Sequence, residues 1–280
     1  MAGEATAQPT GEDRALPVER DGHVAVLTLA GPGGKPVMDD RFFDELHVAI
    51  TSLDADPEVR AIVITGGRNF SFGLDLGAAF ATFAPLFEDA GAGARGELLS
   101  LIRRWQHALD AVASARTPTI AAIGGWCIGG GVDLAAACDI RVASADATLS
   151  VREAKMAIVA DLGSLQRLVG IIGDGHLREL ALTADDIDAE RALSIGLVND
   201  VHPDLEATLD AAKALAARIA ANSPLVLAGV KDVLDAERAP RIEAGLRYTA
   251  VWNSAFLVSD DLKEALTSFA ERREPRFTGR

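Results

Sequence analysis

The chain has 280 residues, 49% of them hydrophobic and 24% charged, and a formal net charge of −14 at pH 7. This composition is typical of a globular protein with a sizeable core. The acidic balance argues against binding to nucleic acid or to an anionic membrane, because both require basic protein surface. The longest uncharged run, residues 117–132, is also shorter than the roughly 20 residues that span a bilayer. We therefore expect no nucleic-acid partner and no membrane contact.

The N-terminal residues and the cysteines both indicate a cytoplasmic location. Residues 1–18 have no apolar core and no basic start, so we interpret them as a flexible tail rather than a targeting signal. Cys127 and Cys138 lie in apolar surroundings, at a spacing that fits neither a metal site nor a disulfide framework. We expect these to be buried thiols in a reducing compartment.

Strand and helix patterns alternate along the first part of the chain. Residues 23–30, HVAVLTLA, alternate and are β-branched, which predicts a strand, and a segment with helical apolar spacing follows at 39–56. Short strands are then predicted in VRAIVITGG, PTIAAIGG, DIRVAS and ATLSV, with a helix at about 131–137 between the second and third of these. This alternation predicts an α/β core whose strands are joined mostly by crossover connections.

The pattern changes after about residue 200. DLEATLDAAKALAARIAANSP predicts a strong helix that ends at residues 222–224, and helical segments continue to the C-terminus. We therefore divide the chain into the tail, an α/β core over 19–200 and a helical region over 201–280. Residues 80–97, FATFAPLFEDAGAGARGE, have two interpretations, a mobile covering segment or an irregular surface helix.

Two glycine-containing segments offer backbone donors to a negative oxygen. In GGWCIGGGVDL, a strand, a glycine cluster and a helix start leave N–H groups free, and glycine lets the backbone approach a ligand closely. In NFSFGLDLGA, a glycine that follows a strand would present the N–H of Leu74. Two such donors would make an oxyanion hole, which stabilises the enolate of a thioester. Each segment alone also fits an ordinary tight turn.

Three acidic residues, Asp133, Glu153 and Asp161, lie in or beside the same apolar segments. Buried carboxylates are costly unless they are paired or hydrogen-bonded. Each has a structural explanation: Asp133 would complement the dipole of its helix, Asp161 would cap the next helix, and Glu153 would pair with a neighbouring basic residue. In a single helix, the last two acids would stand about 12 Å apart along the axis. A turn within MAIVAD would instead place them on either side of one small ligand.

Motifs for other chemistries are missing from the sequence. The five histidines have no metal-binding spacing, and the chain contains no GxSxG elbow, no P-loop and no GxGxxG. We therefore expect no metal site, no serine hydrolase and no dinucleotide-binding fold.

Taken in order, the segments resemble the enoyl-CoA hydratase/isomerase (crotonase) superfamily over residues 23–277. The resemblance is carried by AIVITGG, FSFGLDL, PTIAAIGGWCIGGGVDLAAACDIRVAS, GSLQRLVG, LTADDIDAERALSIGLVNDV and SFAERREPRF. It implies a crotonase-like spiral of ββα units with a helical C-terminal trimerisation region, and hence a homotrimer or a dimer of trimers. It also implies an acyl-CoA thioester as substrate, so coenzyme A is part of the substrate and no separate cofactor is expected.

The resemblance also assigns the binding residues by position. The oxyanion hole would use the N–H groups of Leu74 and Gly130, with Phe72, Gly73 and Asp75 beside it on the substrate. Two departures bear on substrate size. GPGGKPVMDD replaces the usual Asn-Ala segment, which in the family contacts the adenine end of coenzyme A. Phe72 stands where a small residue is common, so we expect a narrower pocket.

The three acids distinguish subfamilies. Enoyl-CoA hydratases typically carry Glu, Glu and Gly at the positions of Asp133, Glu153 and Asp161, whereas the Asp/Glu/Asp set here resembles Δ3,5-Δ2,4-dienoyl-CoA isomerase. Converting a 3,5-dienoyl to a 2,4-dienoyl thioester removes a proton at C2 and returns one at C6, without water. We expect Glu153 and Asp161 to form this proton shuttle, with Asp133 orienting or polarising one of them. At a helix N-terminus, Asp161 should have a lowered pKa and be ionised, and apolar surroundings should keep Glu153 protonated.

Two alternatives stay open at the level of sequence. A 2-enoyl-CoA hydratase would use Asp133 and Glu153 to flank a water molecule. A non-catalytic crotonase-fold scaffold, of which the RNA-binding kind is one example, is disfavoured by the acidic charge and by the presence of all three acids.

Overall fold

The computed structural model describes residues 16–31, 34–88 and 91–280. Residues 1–15, most of the predicted tail, lie outside the described residues. Leu16 is buried in the core, and the first strand begins two residues later.

The described residues form strands and helices with the following bounds. The strands are β1 (Val18–Asp21), β2 (Val24–Thr28), β3 (Ala61–Thr65), β4 (Thr119–Ile123), β5 (Trp126–Ile128), β6 (Ile140–Ser144), β7 (Thr148–Ser150), β8 (Ile187–Asp188) and β9 (Asp200–His202). The helices are α1 (Asp40–Ala55), α2 (Leu76–Glu88), α3 (Ala92–Ser114), α4 (Gly130–Ala137), α5 (Ser164–Arg167), α6 (Val169–Thr183), α7 (Ala189–Ser194), α8 (Leu205–Ala220), α9 (Pro224–Asp235), α10 (Ala239–Phe256) and α11 (Asp260–Glu271). A short 3-10 helix spans Glu153–Met156.

Two sheets organise the core. The larger sheet has the strand order β1-β2-β3-β4-β6-β9, in which β1 and β2 are antiparallel and the other neighbours are parallel. The smaller sheet has the order β5-β7-β8. Parallel neighbours require crossover connections, and helices supply them, for example α1 between β2 and β3. The predicted α/β core with a crossover-connected sheet is confirmed.

Successive side chains of a strand point to opposite sides of the sheet. In the central strands of the larger sheet both sides are buried, each in a different core. One face, which includes Leu27, Ile64 and Ile123, joins the main core with α1 and α3. The other face, which includes Val26 and Val63, packs on α8. The buried residues of α8 in this second core are alanines at four-residue spacing: Ala212, Ala216 and Ala220. Their small side chains let the helix lie close to the sheet.

The segment with two interpretations is helical in the described residues. The helix α2 ends at Glu88 and α3 begins at Ala92, while residues 89 and 90 lie outside the described residues. After β9 the chain continues as α8 to α11, and Pro224 is the first residue of α9, close to the predicted break. In the described part of the chain, no helix is both long and apolar enough to cross a membrane.

Candidate active site

The loop after β3 and the N-terminus of α4 lie against each other. A Cβ on Gly73 would stand 2.8 Å from the Ile128 carbonyl oxygen and 3.2 Å from the Gly130 nitrogen, so only glycine fits there. Gly73 also has a φ of +76°, which side chains other than glycine rarely adopt. The N–H groups of Leu74 and Gly130 have no protein acceptor among the described residues. The structure therefore brings the two predicted donors onto neighbouring loops and leaves both unpaired.

Local hydrogen bonds hold this arrangement. The hydroxyl of Ser71, which is buried, donates to the Pro36 carbonyl and accepts the Gly73 N–H at 3.0 Å each. A Cβ on Gly131 would lie 2.9 Å from the Cβ of Ser71, which explains a further glycine of the cluster. Sequence reasoning did not identify Ser71, although a serine between two phenylalanines in a loop, FSF, is a visible signal.

Asp133 lies in the first turn of α4 and is 1% exposed. Its Oδ1 accepts the N–H of Ser164, the first residue of α5, at 2.5 Å. Asp133 therefore caps α5 in addition to lying in its own helix. The alternative that Asp161 caps this helix is wrong. The residue before α5 is Gly163, which has no side chain to act as a cap, and the N–H of Ser164 donates to Asp133 instead.

Glu153 begins the 3-10 helix that follows β7. Its basic neighbours are paired elsewhere, Arg152 with Asp186 and Lys155 with Asp185, so the surface ion-pair explanation for Glu153 is wrong. Its Oε2 is buried and has no hydrogen-bond partner among the described residues. Its Oε1 lies 3.3 Å from the position that a Cβ on Gly129 would occupy. The carboxyl therefore points toward the glycine cluster with one oxygen unpartnered.

A turn separates Glu153 from Asp161, which is the second of the two arrangements that the sequence left open. The 3-10 helix ends at Met156, the next residue, Ala157, has a left-handed φ of +56°, and residues 158–163 have no regular structure. The two acids are therefore not on one helix. The charge of Asp133 raises the pKa of Glu153 and also the pKa of Asp161, so the three carboxyl groups lie close together.

Asp161 is held by two side-chain amides. Its Oδ2 accepts a hydrogen bond from Asn253 of α10 at 2.6 Å, and its backbone carbonyl accepts one from Gln106 of α3 at 2.5 Å. Sequence reasoning missed both amides. Gln106 gave a signal, because it lies within the apolar stripe of α3 between Ile102 and Leu109. Asn253 is 92 residues from Asp161 and gave none.

Burial raises the pKa of all three carboxyls. Burial raises the pKa of Asp133 to about 6, although hydrogen bonds from Ser164 and the charge of Arg167 oppose the rise. Burial and the neighbouring Asp133 raise the pKa of Asp161 to about 7, although the hydrogen bond from Asn253 lowers it. Burial, followed by the charge of Asp133, raises the pKa of Glu153 well above its usual range.

These directions correct one prediction and agree with another. The prediction of a lowered pKa for Asp161 is wrong, because burial outweighs the local donors and the residue is not the cap of α5. The expectation that Glu153 is the protonated member agrees with the direction of its pKa. The buried Arg167 supplies a nearby positive charge, and it is itself paired with Asp110 of α3.

The remaining predicted residues lie on the same loop as Gly73. The carboxylate of Asp75 accepts the N–H groups of Gly77 and Ala78, so it caps α2. The side chain of Phe72 is 37% exposed, and its N–H donates to the Pro36 carbonyl. Contact of Phe72 and Asp75 with substrate, and the narrowing of the pocket by Phe72, stay predictions. Within the described ranges, no group of three or more His, Cys, Asp or Glu side chains could hold a metal ion.

Comparison with known proteins decides the family. The model of the enoyl-CoA hydratase/isomerase family matches residues 19–280. The chain belongs to this family. This enoyl-CoA hydratase/isomerase is 44% identical to a mitochondrial Delta(3,5)-Delta(2,4)-dienoyl-CoA isomerase of Dictyostelium discoideum, over 91% of this chain and 87% of the relative. It is 41% identical to a peroxisomal Delta(3,5)-Delta(2,4)-dienoyl-CoA isomerase of Arabidopsis thaliana, over 92% and 93% of the two chains.

A solved structure gives the same result for the fold. The crystal structure of carnitinyl-CoA hydratase from Mycobacterium avium superposes on this enoyl-CoA hydratase/isomerase with a TM-score of 0.80. The two are 32% identical, and the match covers 95% of this chain and 99% of the other. The expected crotonase-like fold with C-terminal helices is confirmed, and the chain is an enzyme of the enoyl-CoA hydratase/isomerase family.

Proposed function

We propose that the enzyme isomerises 3,5-dienoyl-CoA to 2,4-dienoyl-CoA. The observation that carries the proposal is the meeting of three buried carboxyls, Asp133, Glu153 and Asp161, beside two unpaired backbone N–H groups. Relatives that are named as dienoyl-CoA isomerases, at 44% and 41% identity, support the same reaction.

The backbone donors bind the thioester in this mechanism. The N–H groups of Leu74 and Gly130 hold the thioester oxygen, and they bind it more strongly as removal of the C2 proton places negative charge on it. Because these donors are fixed by the glycine turns, they need no reorganisation when the charge develops. The coenzyme A moiety is part of the substrate, and we propose that the reaction uses no other cofactor and no metal.

Glu153 and Asp161 move the proton. Glu153 lies beside Gly129 and so at the thioester end, where it takes the proton from C2 and leaves a dienolate. The dienolate then takes a proton at C6 from Asp161, farther along the acyl chain, which leaves Glu153 protonated and Asp161 ionised. A proton then passes from Glu153 back to Asp161, directly or by exchange with solvent, and restores the starting form. Asp133 stays bound to the Ser164 N–H, and its charge makes Glu153 a stronger base.

The protonation state follows from the same contacts. In the free enzyme, burial and the charge of Asp133 favour the proton on Glu153. Turnover toward the 2,4-dienoyl product needs the other form, in which Glu153 is ionised and Asp161 carries the proton. The two groups titrate as a coupled set, so the rate should show a bell-shaped dependence on pH.

The direct test is to supply 3,5-dienoyl-CoA and, separately, 2-enoyl-CoA to the purified enzyme. Appearance of conjugated-diene absorbance with little loss of the 2-enoyl band is the expected result. Hydration of 2-enoyl-CoA without a diene signal would overturn the proposal.

A hydratase is the second candidate, because the adjacent carboxyls of Asp133 and Glu153 would flank a water molecule. Asp133 counts against it, since one of its oxygens is already engaged by Ser164. A non-catalytic scaffold protein would catalyse neither reaction. If the pocket of such a scaffold were closed, calorimetry would also show no binding of a CoA thioester.

We also propose that the enzyme assembles as a homotrimer or a dimer of trimers. Two C-terminal helices expose many apolar side chains, which supports an interface between copies. These are Leu225, Val226, Val230, Val233 and Leu234 on α9 and Tyr248, Val251, Trp252 and Phe256 on α10. Light scattering of the purified enzyme measures the assembly. A cytoplasmic location stays a prediction, while the names of the two relatives place those proteins in mitochondria and peroxisomes.

A further inference from the structure

Two buried amides reach the loop that carries Asp161 from two different helices. Gln106 of α3 is fully buried, and Asn253 of α10 is 2% exposed. The amide of Gln106 donates to the carbonyls of Asp161 and of Leu246, the second at 3.1 Å. An amide NH₂ has two hydrogens, so these two bonds use both.

Asn253 is used in the same way. Its Nδ2 donates to Oδ2 of Asp161 at 2.6 Å and to the carbonyl of Val159 at 2.8 Å. One side chain therefore ties the carboxyl of Asp161 to the backbone two residues earlier. With Gln106, the segment 159–161 is held at three points, all of them by amides from outside the loop.

The chemistry of these contacts goes beyond holding a loop. A backbone carbonyl is satisfied by any donor, but a hydrogen bond to one carboxyl oxygen also fixes the orientation of the other. A neutral N–H donor favours the ionised carboxylate without adding a charge. The Asn253 bond is the main influence that opposes the rise of the Asp161 pKa caused by burial.

We propose that Asn253 is a positioning residue for proton transfer, which orients the Asp161 carboxyl toward the acyl chain and stabilises its ionised form while Gln106 fixes the backbone beneath it. The part played by Asp161 rests on the proposed isomerase function. The effect of Asn253 on Asp161 does not.

The other groups around Asp161 make this effect separable. Asp133 of α4 and Glu153 of the 3-10 helix are the neighbouring acids. Arg167 of α5 is engaged by Asp110 of α3 and by the Leu162 carbonyl. The contacts from α3 and α10 to Asp161 itself are neutral amides, so a change at Asn253 alters hydrogen bonding without changing the charge of the site.

The test compares Asn253→Leu with Thr249→Val. Thr249 is also buried on α10, one turn earlier, and its hydroxyl accepts a hydrogen bond from Gln166 rather than from the Asp161 loop. Both variants thus lose buried hydrogen bonds of α10, but only Asn253→Leu loses the bond to Asp161. Asn253→Asp, which has the same shape, is the second variant in case the leucine disturbs folding.

Two measurements are made on each enzyme. The first is the pH profile of kcat and KM with 3,5-dienoyl-CoA. The second is an infrared titration of the protonated Asp161 carboxyl, with labelled aspartate and the spectrum of Asp161→Asn subtracted. This second readout does not depend on activity, so absence of isomerase activity in the wild type would overturn the proposed function and leave the role of Asn253 to the infrared titration.

For Asn253→Leu we expect kcat to fall roughly 10- to 100-fold, because a misplaced proton donor has this effect, with KM changed by less than about threefold. The limb of the pH profile that follows the ionisation of Asp161 and the infrared titration should both move to higher pH, by roughly one unit, and by more in Asn253→Asp, where two carboxyls would face each other. Thr249→Val should change neither. An unmoved infrared titration in both Asn253 variants, or an equal movement in Thr249→Val, would overturn the proposal.

Discussion

The two halves of the site are built differently. The thioester half consists of backbone, and glycines at Gly73 and Gly130 let two loops come close enough to present their N–H groups. The proton-transfer half consists of side chains, and Asp161 is held by amides from α3 and α10. The first half depends on local chain geometry, whereas the second depends on packing between segments far apart in sequence. Substitutions should therefore affect the halves in different ways.

The largest effect should come from the proton-transfer half. Asp161→Asn keeps the shape of the side chain but removes its acid, so we expect isomerase activity to fall by roughly 10³-fold, the usual range for loss of general acid–base catalysis. Binding of an acyl-CoA should stay within a few-fold, because the thioester is held by backbone donors. Rates and calorimetric affinities measure the two effects.

Asp54→Asn is the matched control, since Asp54 is also a partly buried acid but its carboxylate accepts the Thr117 N–H, away from the site. Activity that survives in Asp161→Asn would show that Asp161 has only a structural part.

A smaller effect is expected in the thioester half. Gly73→Ala would place a Cβ 2.8 Å from the Ile128 carbonyl oxygen, in a backbone conformation that alanine rarely adopts. The Leu74 N–H should shift, and loss of one oxyanion donor lowers kcat by roughly 10²-fold. Unlike Asp161→Asn, this change should weaken thioester binding together with turnover.

Gly67→Ala separates the two causes of this loss. Gly67 also has a left-handed φ, of +70°, but a Cβ there would meet no atom within 4 Å. The Gly67→Ala variant should have a lower Tm, because alanine rarely adopts this φ, and it should keep its isomerase activity. Equal losses of activity in the two variants would contradict a specific role for the close contact at Gly73.

The smallest effect concerns stability and its dependence on pH. The pKa of Asp161 is about 7 in the folded enzyme, above the value of about 3.9 for an unfolded chain. The folded state therefore holds this proton more tightly, and the stability that results is lost as the pH rises toward and through 7. The wild-type Tm should therefore fall between pH 5 and pH 8. The side chain in Asp161→Asn cannot ionise, so the Tm of this variant should fall by a few degrees less over the same range. A parallel pH dependence in the two proteins would contradict the raised pKa.

The same difference between the halves explains what the sequence could predict. The strand-to-helix turn at Gly129 and Gly130 and the glycine at Gly73 are local features, so the alternation of elements and the two donors were accessible from short segments. A turn after Glu153 was one of two arrangements that the sequence left open, since it would place Glu153 and Asp161 on either side of one small ligand. Family resemblance and the structure agree on the crotonase-like fold.

The support of the acids was not accessible in this way. Nothing near Asp161 in the sequence indicates Asn253, because the contact forms only when α10 packs on the core. The cap of α5 was assigned to the nearest acid in sequence, Asp161, whereas the fold supplies Asp133 from 31 residues earlier. The predicted direction of the Asp161 pKa was wrong for the same reason, because the burial that raises this pKa arises only in the folded structure.

The helix α10 faces two environments at once. Its buried side carries Asn253, while its outer side carries a row of rings, Tyr248, Trp252 and Phe256, with centroids 6.4 and 4.7 Å apart between successive members. Trp252 is the direct chain neighbour of Asn253, so a repacking of this row that shifts the backbone of α10 would also shift Asn253. Mutational tolerance on this outer surface should thus be limited by the geometry of a proton transfer on the other side of the helix. A ring substitution that leaves the fold intact could still reduce turnover.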